Sequence, residues 1–292
     1  MGSWPSDLCD KLLECRTLSA SPNSYIDIYH EKLAIKSILK PNSGDVDKER
    51  LAREIDMAHL AGEDCAIPVV GRYFNHGVIN GFITRFGKCL TQGQEDDISP
   101  EIFERRLSVI QQFCALLDKL HSKGIIHGDI KPSNLVLDTA NNLRFIDFAE
   151  AVLELEPPRR HASTTHYVSP SSMKARSPLT RADDLYAAGV TIWHIYTGHV
   201  PFENIDEDDL DLLIADGLCP NLSVIDDEAV RALISKYLQA GEPYAKDVNT
   251  NGPVQLCQPT FTIPPIPTPG PKTGNTAQSS EIYITNCMYA RV

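Results

Sequence analysis

The sequence has no uninterrupted apolar run long enough to cross a bilayer, which takes about 20 residues. Its eight cysteines are scattered. None forms a CxxC pair or stands at ligand-like spacing with histidine, which argues against a structural zinc site. Read with the absence of a signal peptide, they predict reduced thiols in an intracellular protein, in cytoplasm or nucleus. Positive charge is in deficit: 27 Lys and Arg stand against 39 Asp and Glu, a formal net charge of −12. A general nucleic-acid or anionic-membrane binder draws its affinity from Lys and Arg, so that class is disfavoured. A nucleotide held locally with a metal remains open. Internal repeats are absent as well.

What is present suffices for a packed core: 42% of the 292 residues are hydrophobic and 23% charged. That length is long for one domain and short for three. The opening "MGSWPS" fits M-G-x-x-x-[ST], a short pattern for a myristoyl acceptor at Gly2, but a plain unstructured start is the stronger reading. "YIDIYHEKLAIKSIL" alternates apolar and polar residues on both sides of a turn at His30-Glu31-Lys32, which predicts a hairpin. "VDKERLAREIDMAHLAG" predicts a helix with Leu51, Ile55 and Ala58 on one face and Gly62 near its end. "AIPVVGRYF" and "VINGFITRF" predict two more strands.

Past residue 88 the pattern turns helical. Ser99 and Pro100 are a cap and first-turn signal for one helix that Gly124 ends, with a stripe of Ile110, Phe113, Cys114 and Leu117. "ADDLYAAGVTIWHIYTG" and "DEAVRALISKYL" predict two further helices. From about Gly241 periodicity is lost. "QPTFTIPPIPTPGPKTG" reads as an extended or unstructured tail, and its PxxP pattern also offers a ligand for an SH3-like domain.

The densest chemistry lies in "HGDIKPSNLVLD" and "LRFIDFAEA". Asp129, Lys131 and Asn134 share one polar loop before a short apolar run, and a second apolar run delivers Asp147. Phosphoryl transfer needs a placed hydroxyl and positive charge near the moving oxygens, with little covalent work from the protein. Asp129 suits the hydroxyl and Lys131 the phosphate. Asn134 and Asp147 offer hard oxygens of the kind Mg²⁺ takes and zinc does not.

"HGDIKPSN" with "DFA" resembles the catalytic loop and metal-binding motif of the eukaryotic protein kinases, H-R-D-x-K-x-x-N and D-F-G. "LAIK" resembles the strand that carries their nucleotide-binding lysine, here Lys36. "TTHYVSP" resembles the end of the activation segment, and "DLYAAG" the start of the large buried helix. The motifs keep the family's order over roughly residues 10–240. The resemblance implies an α+β, bilobal kinase-like fold, with a β-rich small lobe to about residue 88 and a mainly helical large lobe. Residues 1–9 would be an extension and 241–292 a tail. It also implies ATP and Mg²⁺ as cofactors and a protein as substrate. Asp129 and Lys131 would then be catalytic, Asn134 and Asp147 metal ligands, and Lys36 a phosphate contact held by Glu54. Asp184 would brace the loop backbone, and Thr164 would tie Lys131 to Asp129 as in the serine/threonine branch.

Three departures matter. The glycine-rich loop is missing: "SASPNSYI" puts Ser19, Ser21 and Ser24 where glycines belong, with Ile26 for the usual valine. Gly128 replaces the arginine that, in most of the family, a phosphate on the activation segment neutralises. The final A-P-E reads Ser169-Pro170-Ser171, without its glutamate. Three readings stay open: an active serine/threonine kinase, a pseudokinase acting as a nucleotide-binding or scaffold module, and a small-molecule phosphotransferase like the aminoglycoside and choline kinases.

Overall fold

The computed structural model describes residues 16–20, 24–30, 32–38, 44–75, 78–92, 96–156, 164–175 and 178–241. Gly2, Ser21 and the proline-rich stretch with its SH3-type pattern lie outside the described residues. The small lobe is one antiparallel sheet of β1 (Arg16–Ala20), β2 (Ser24–Tyr29), β3 (Leu33–Ile38), β4 (Val69–Asn75) and β5 (Val78–Arg85). Its spatial order is β1-β2-β3-β5-β4. The expected hairpin is β2–β3, with Tyr29 opposite Leu33 and a turn in which His30 takes φ +48°. Period-two alternation buries Ile26, Ile28 and Ile35 at 4% exposure or less. Between β3 and β4 runs helix α1 (Gly44–Ala61).

α1 joins two cores. Leu51 and Ile55 pack with Phe82 in a small cluster of the upper lobe. One turn on, Met57 and Ala61 belong to the large cluster that fills the helical lobe. Lys123 caps the helix from below, donating to the Ala61 carbonyl at 2.6 Å and pairing with Asp64 at 2.6 Å.

The chain enters the helical lobe through short strands β6 (Lys88–Cys89), β7 (Thr91–Gln92) and β8 (Asp97–Ile98). The expected single helix after Ser99 is two: α2 (Pro100–Glu104) and α3 (Arg106–Ser122). Arg105 leaves helical geometry at φ −112° and ψ +18°, so the first turn closes on itself. The Arg106 guanidinium then stacks over Phe103 at 4.4 Å and Tyr196 at 5.0 Å, which holds the corner. The predicted stripe on α3 is buried throughout, and Gly124 follows its end at φ +71°.

Next come β9 (Ile125–Ile126), β10 (Leu135–Leu137), β11 (Leu143–Phe145) and β12 (Val152–Leu153). β10 lies between β11 and β6. Four helices close the lobe: α4 (Pro170–Ala175), α5 (Arg181–Thr197), α6 (Glu207–Ala215) and α7 (Glu228–Gly241). α5 is buried nearly all round, which makes it the axis of the lobe. α7 ends hard against it: a Cβ at Gly241 would sit 2.4 Å from the Tyr186 nitrogen. The architecture is the α+β, bilobal one that the sequence predicts. Among the described residues no helix is long and apolar enough to cross a membrane.

Candidate active site

β10 and β11 form a hairpin, so the loop before β10 and the residues after β11 emerge side by side. The Ile146 nitrogen donates to the Asn134 carbonyl at 3.0 Å and fastens the two exits together. Asp129, Lys131 and Asn134 on the first exit are thereby brought beside Asp147 on the second.

The loop is built from buried bonds. Asp184, in the first turn of α5, accepts from the His127 nitrogen at 2.8 Å and the Gly128 nitrogen at 2.9 Å. His121 donates to the same carboxylate at 2.9 Å. Burial would raise the Asp184 carboxyl, but the His121 bond and charge outweigh it and keep it below its usual value. His127 is fully buried and packs 5.0 Å from Phe145 and 4.9 Å from Phe148. Its Nε2 donates to the Ile146 carbonyl at 3.0 Å, which joins the loop to the strand that precedes Asp147. The bracing expected of Asp184 is thus observed, and His127 shares it.

Above this base lies a polar quartet. Asp129 Oδ1 accepts from the Thr164 hydroxyl at 2.8 Å, and Oδ2 accepts from Asn134 Nδ2 at 2.8 Å. Lys131 Nζ donates to Thr164 Oγ1 at 2.7 Å and lies 2.9 Å from Asp129 Oδ2. Both Asn134 amide hydrogens are directed to Asp129, one to its backbone carbonyl at 2.7 Å. Asn134 Oδ1 is then left buried with no hydrogen-bond partner. An orphaned buried oxygen is costly unless something binds it.

The upper half of the site centres on Lys36. Its Nζ donates to Glu54 Oε1 at 2.7 Å and to Asp147 Oδ1 at 3.1 Å, with 12% of the lysine side chain exposed. Burial pushes the Glu54 carboxyl up to about 7 against the pull of Lys36. Burial also opposes ionisation of Asp147, but the charge and hydrogen bond of Lys36 win there and hold it well below the usual carboxylate range. Asp147 takes φ +59°, a left-handed conformation that non-glycine residues adopt mostly where the surroundings impose it. Behind the triad, Ile26, Ala34 and Val69 line a cleft whose polar end is Lys36, Glu54 and Asp147.

The donor set suits Mg²⁺. No cluster of three His, Cys, Asp or Glu able to hold a metal occurs among the described residues. Two protein oxygens, the unpartnered Asn134 Oδ1 and the Asp147 carboxylate, match a cation that keeps waters and takes its other ligands from phosphate.

Of the expected nucleotide-loop residues, Ile26 is buried and lines the cleft. Ser19 lies in β1, where it pairs with Ile26, and Ser24 begins β2. Sequence reasoning missed the cleft wall of Ala34 and Val69, although Ala34 stands two residues before Lys36 on a strand and so on the same face. It also missed Asp96, which burial pushes up against the pull of Lys131.

The comparisons with known proteins bear on the family. A family model described as "Protein kinase domain" matches residues 27–241. This chain belongs to the protein kinase family. It is 28% identical over 152 residues to the serine/threonine-protein kinase PrkC of Bacillus subtilis (strain 168), which covers 50% of this chain and 20% of that one. Serine/threonine-protein kinase TIO of Arabidopsis thaliana is 28% identical over 177 residues, 59% of this chain and 13% of that protein. Pkn1 of Myxococcus xanthus is 36% identical over 107 residues, 34% and 15% of the respective chains. The chain therefore spans about a fifth or less of the length of these relatives.

Proposed function

We propose that this protein transfers a phosphoryl group from ATP to serine or threonine hydroxyls of proteins. The observation that carries the reading is the quartet of Asp129, Lys131, Asn134 and Thr164, held on a loop that Asp184 and His127 fix from below. Asp129 orients the attacking hydroxyl and accepts its proton. Lys131 places positive charge where the transferring phosphoryl builds negative charge. Thr164 bonds to both and keeps them at one distance. Lys36 grips the nucleotide phosphates, with Glu54 and Asp147 orienting its ammonium. Asn134 and Asp147 hold Mg²⁺, which when bound neutralises phosphate charge. The serine/threonine branch is supported by Lys131 and Thr164 and by the names of the relatives. An intracellular setting fits such a role.

A second reading, a pseudokinase that works by contacts, draws on Ser19, Ser21 and Ser24 in place of the glycine loop. The third, a small-molecule phosphotransferase, is disfavoured by the Thr164 and Asp184 bonds, because both belong to the protein-kinase motifs. The test is Asp129→Asn with Mg-ATP and a mixed peptide library. The expected loss in kcat is about 10³-fold, the scale of a displaced general base, with the melting temperature unchanged. Equal rates in parent and variant would reject the assignment. A parent that binds Mg-ATP and transfers nothing would favour the pseudokinase.

A further inference from the structure

Two arginines of α1 reach down to the segment that follows Asp147. Arg50 pairs with Glu150. Arg53 pairs with Glu156 through both of its terminal nitrogens, one contact at 3.4 Å, and also donates to the Ala151 carbonyl at 3.2 Å. Arg50 and Arg53 stand four residues and one residue before Glu54, so all three ride on one short stretch of helix. Along that stretch Leu51 and, just past it, Ile55 pack against Phe82 in the small cluster, and the next turn is fixed in the large core by Met57 and Ala61. The position of Glu54 relative to Lys36 thus depends on how the upper turns of α1 are held.

Gly128 makes this path of the segment possible. It sits at φ +82°, and a Cβ there would lie 2.9 Å from the Glu150 carbonyl oxygen and 2.7 Å from Leu179 Cδ2. A side chain at this place would displace the backbone of Glu150, whose carboxylate Arg50 now reaches. The chain has lost a basic residue beneath the segment and carries two acidic residues on the segment, facing basic residues of α1.

We infer that Arg50 and Arg53 are positioning residues: through Glu150 and Glu156 they hold α1 where Glu54 meets Lys36, with no added phosphate on the segment. This rests on the kinase reading above and specifies how that site is assembled. A lone exposed ion pair would contribute little. Arg53 is different, because its pair is only partly exposed, at 21% and 28%, and its planar fork is satisfied at several points. Both pairs also act on the same rigid helix and the same displacement. Nucleotide binding and catalysis are accordingly insensitive to phosphorylation of the segment at Thr165.

The experiment uses the full chain after phosphatase treatment, with phosphate loss checked by mass spectrometry. Arg53→Glu, Glu156→Arg and the double swap are compared by Mg-ATP calorimetry and by hydrogen exchange of the α1 amides. Each single variant is expected to weaken Mg-ATP about tenfold, roughly 1.4 kcal/mol, and to speed exchange in the upper half of α1. The double swap is expected to recover most of both. Should Arg53→Glu fail to fold, Arg53→Gln is read by the same criteria. Single variants that match the parent in both measurements would overturn the inference, as would a double swap no better than the worse single. So would treated protein that binds Mg-ATP tenfold more weakly than protein phosphorylated at Thr165. Hydrogen exchange reports on α1 even if the parent transfers no phosphate, so failure of the kinase reading and failure of the tether are distinguished.

Discussion

In the helical lobe Asp184 has its carboxylate bonded on both oxygens, to two backbone nitrogens and a histidine, and is 1% exposed. In the small lobe Lys36 is held by two carboxylates that answer to it in opposite ways, Glu54 raised and Asp147 lowered. The first arrangement is over-determined, since each bond is fixed by backbone that the large core already holds. The second is assembled by contact between α1, β3 and Asp147, two residues past β11, which come from separate parts of the chain. A kinase-like site is therefore rigid where the hydroxyl would be placed and adjustable where the nucleotide would be gripped. Buried polar networks that are fully satisfied specify one arrangement, whereas an ion triad across separate elements can be tuned.

The largest test of that contrast is Asp184→Ala. It strips the acceptor from His121 and from the His127 and Gly128 nitrogens in a site without water access. A loss of about 3–5 kcal/mol is expected, read as a fall of roughly 10 °C in melting temperature. A fall no greater than that of an exposed substitution would mean the loop is held by packing alone.

Glu54→Gln tests the adjustable side. A folded-state value of about 7 against 4.5 unfolded means that the folded chain holds this proton the more tightly. The group's contribution to stability is then complete below about pH 4.5 and is withdrawn as pH rises to about 7, by at most about 3 kcal/mol. Glu54→Gln should abolish that slope in urea titrations run from pH 5 to 8. Asp147 works in the other direction: its lowered value stabilises the fold above the unfolded 3.8 and is lost at more acid pH. Mg-ATP affinity should also fall as pH drops through about 7 in the parent if orientation of Lys36 by the Glu54 carboxylate outweighs the charge that protonation removes; a rise would show that charge decides. An unchanged slope in the variant would assign the effect elsewhere.

The smallest effect is expected at the seam between the two regions. Gly128→Ala asks a residue with a Cβ to keep φ +82° and crowds the Glu150 carbonyl. A cost of about 1–3 kcal/mol is expected in chemical denaturation. No measurable cost would show that the segment relaxes away from Gly128 freely.

Much of this was legible in the chain because it is local. The β2–β3 hairpin follows from alternation and a turn at His30, and the start of α2 from Ser99-Pro100. The residues Lys36, Asp129, Asn134, Asp147 and Asp184 were singled out because short motifs around them resemble those of the protein kinases. α6 was missed because four acidic residues interrupt the apolar ones of "EDDLDLLIA", and among the described residues its buried anchors are just Leu210 and Ile214, at i and i+4. α4 is one short helix of small residues with no periodicity to read. The break at Arg105 depends on Tyr196, ninety residues away, which no window spans.

The sequence by itself determined the two lobes, the order of elements and the residue types of the site, because alternation, helical spacing and turn chemistry act over a few neighbours. Only the tertiary structure decided which charges meet. Nothing in the sequence singles out Arg50 and Arg53; the fold carries Glu150 and Glu156 to them across about a hundred positions. Gly128 read as a missing charge until Leu179 and Glu150 were found against it. Electrostatic partners and steric clearances are set by distance in space, and the chain fixes that distance only once both cores are packed.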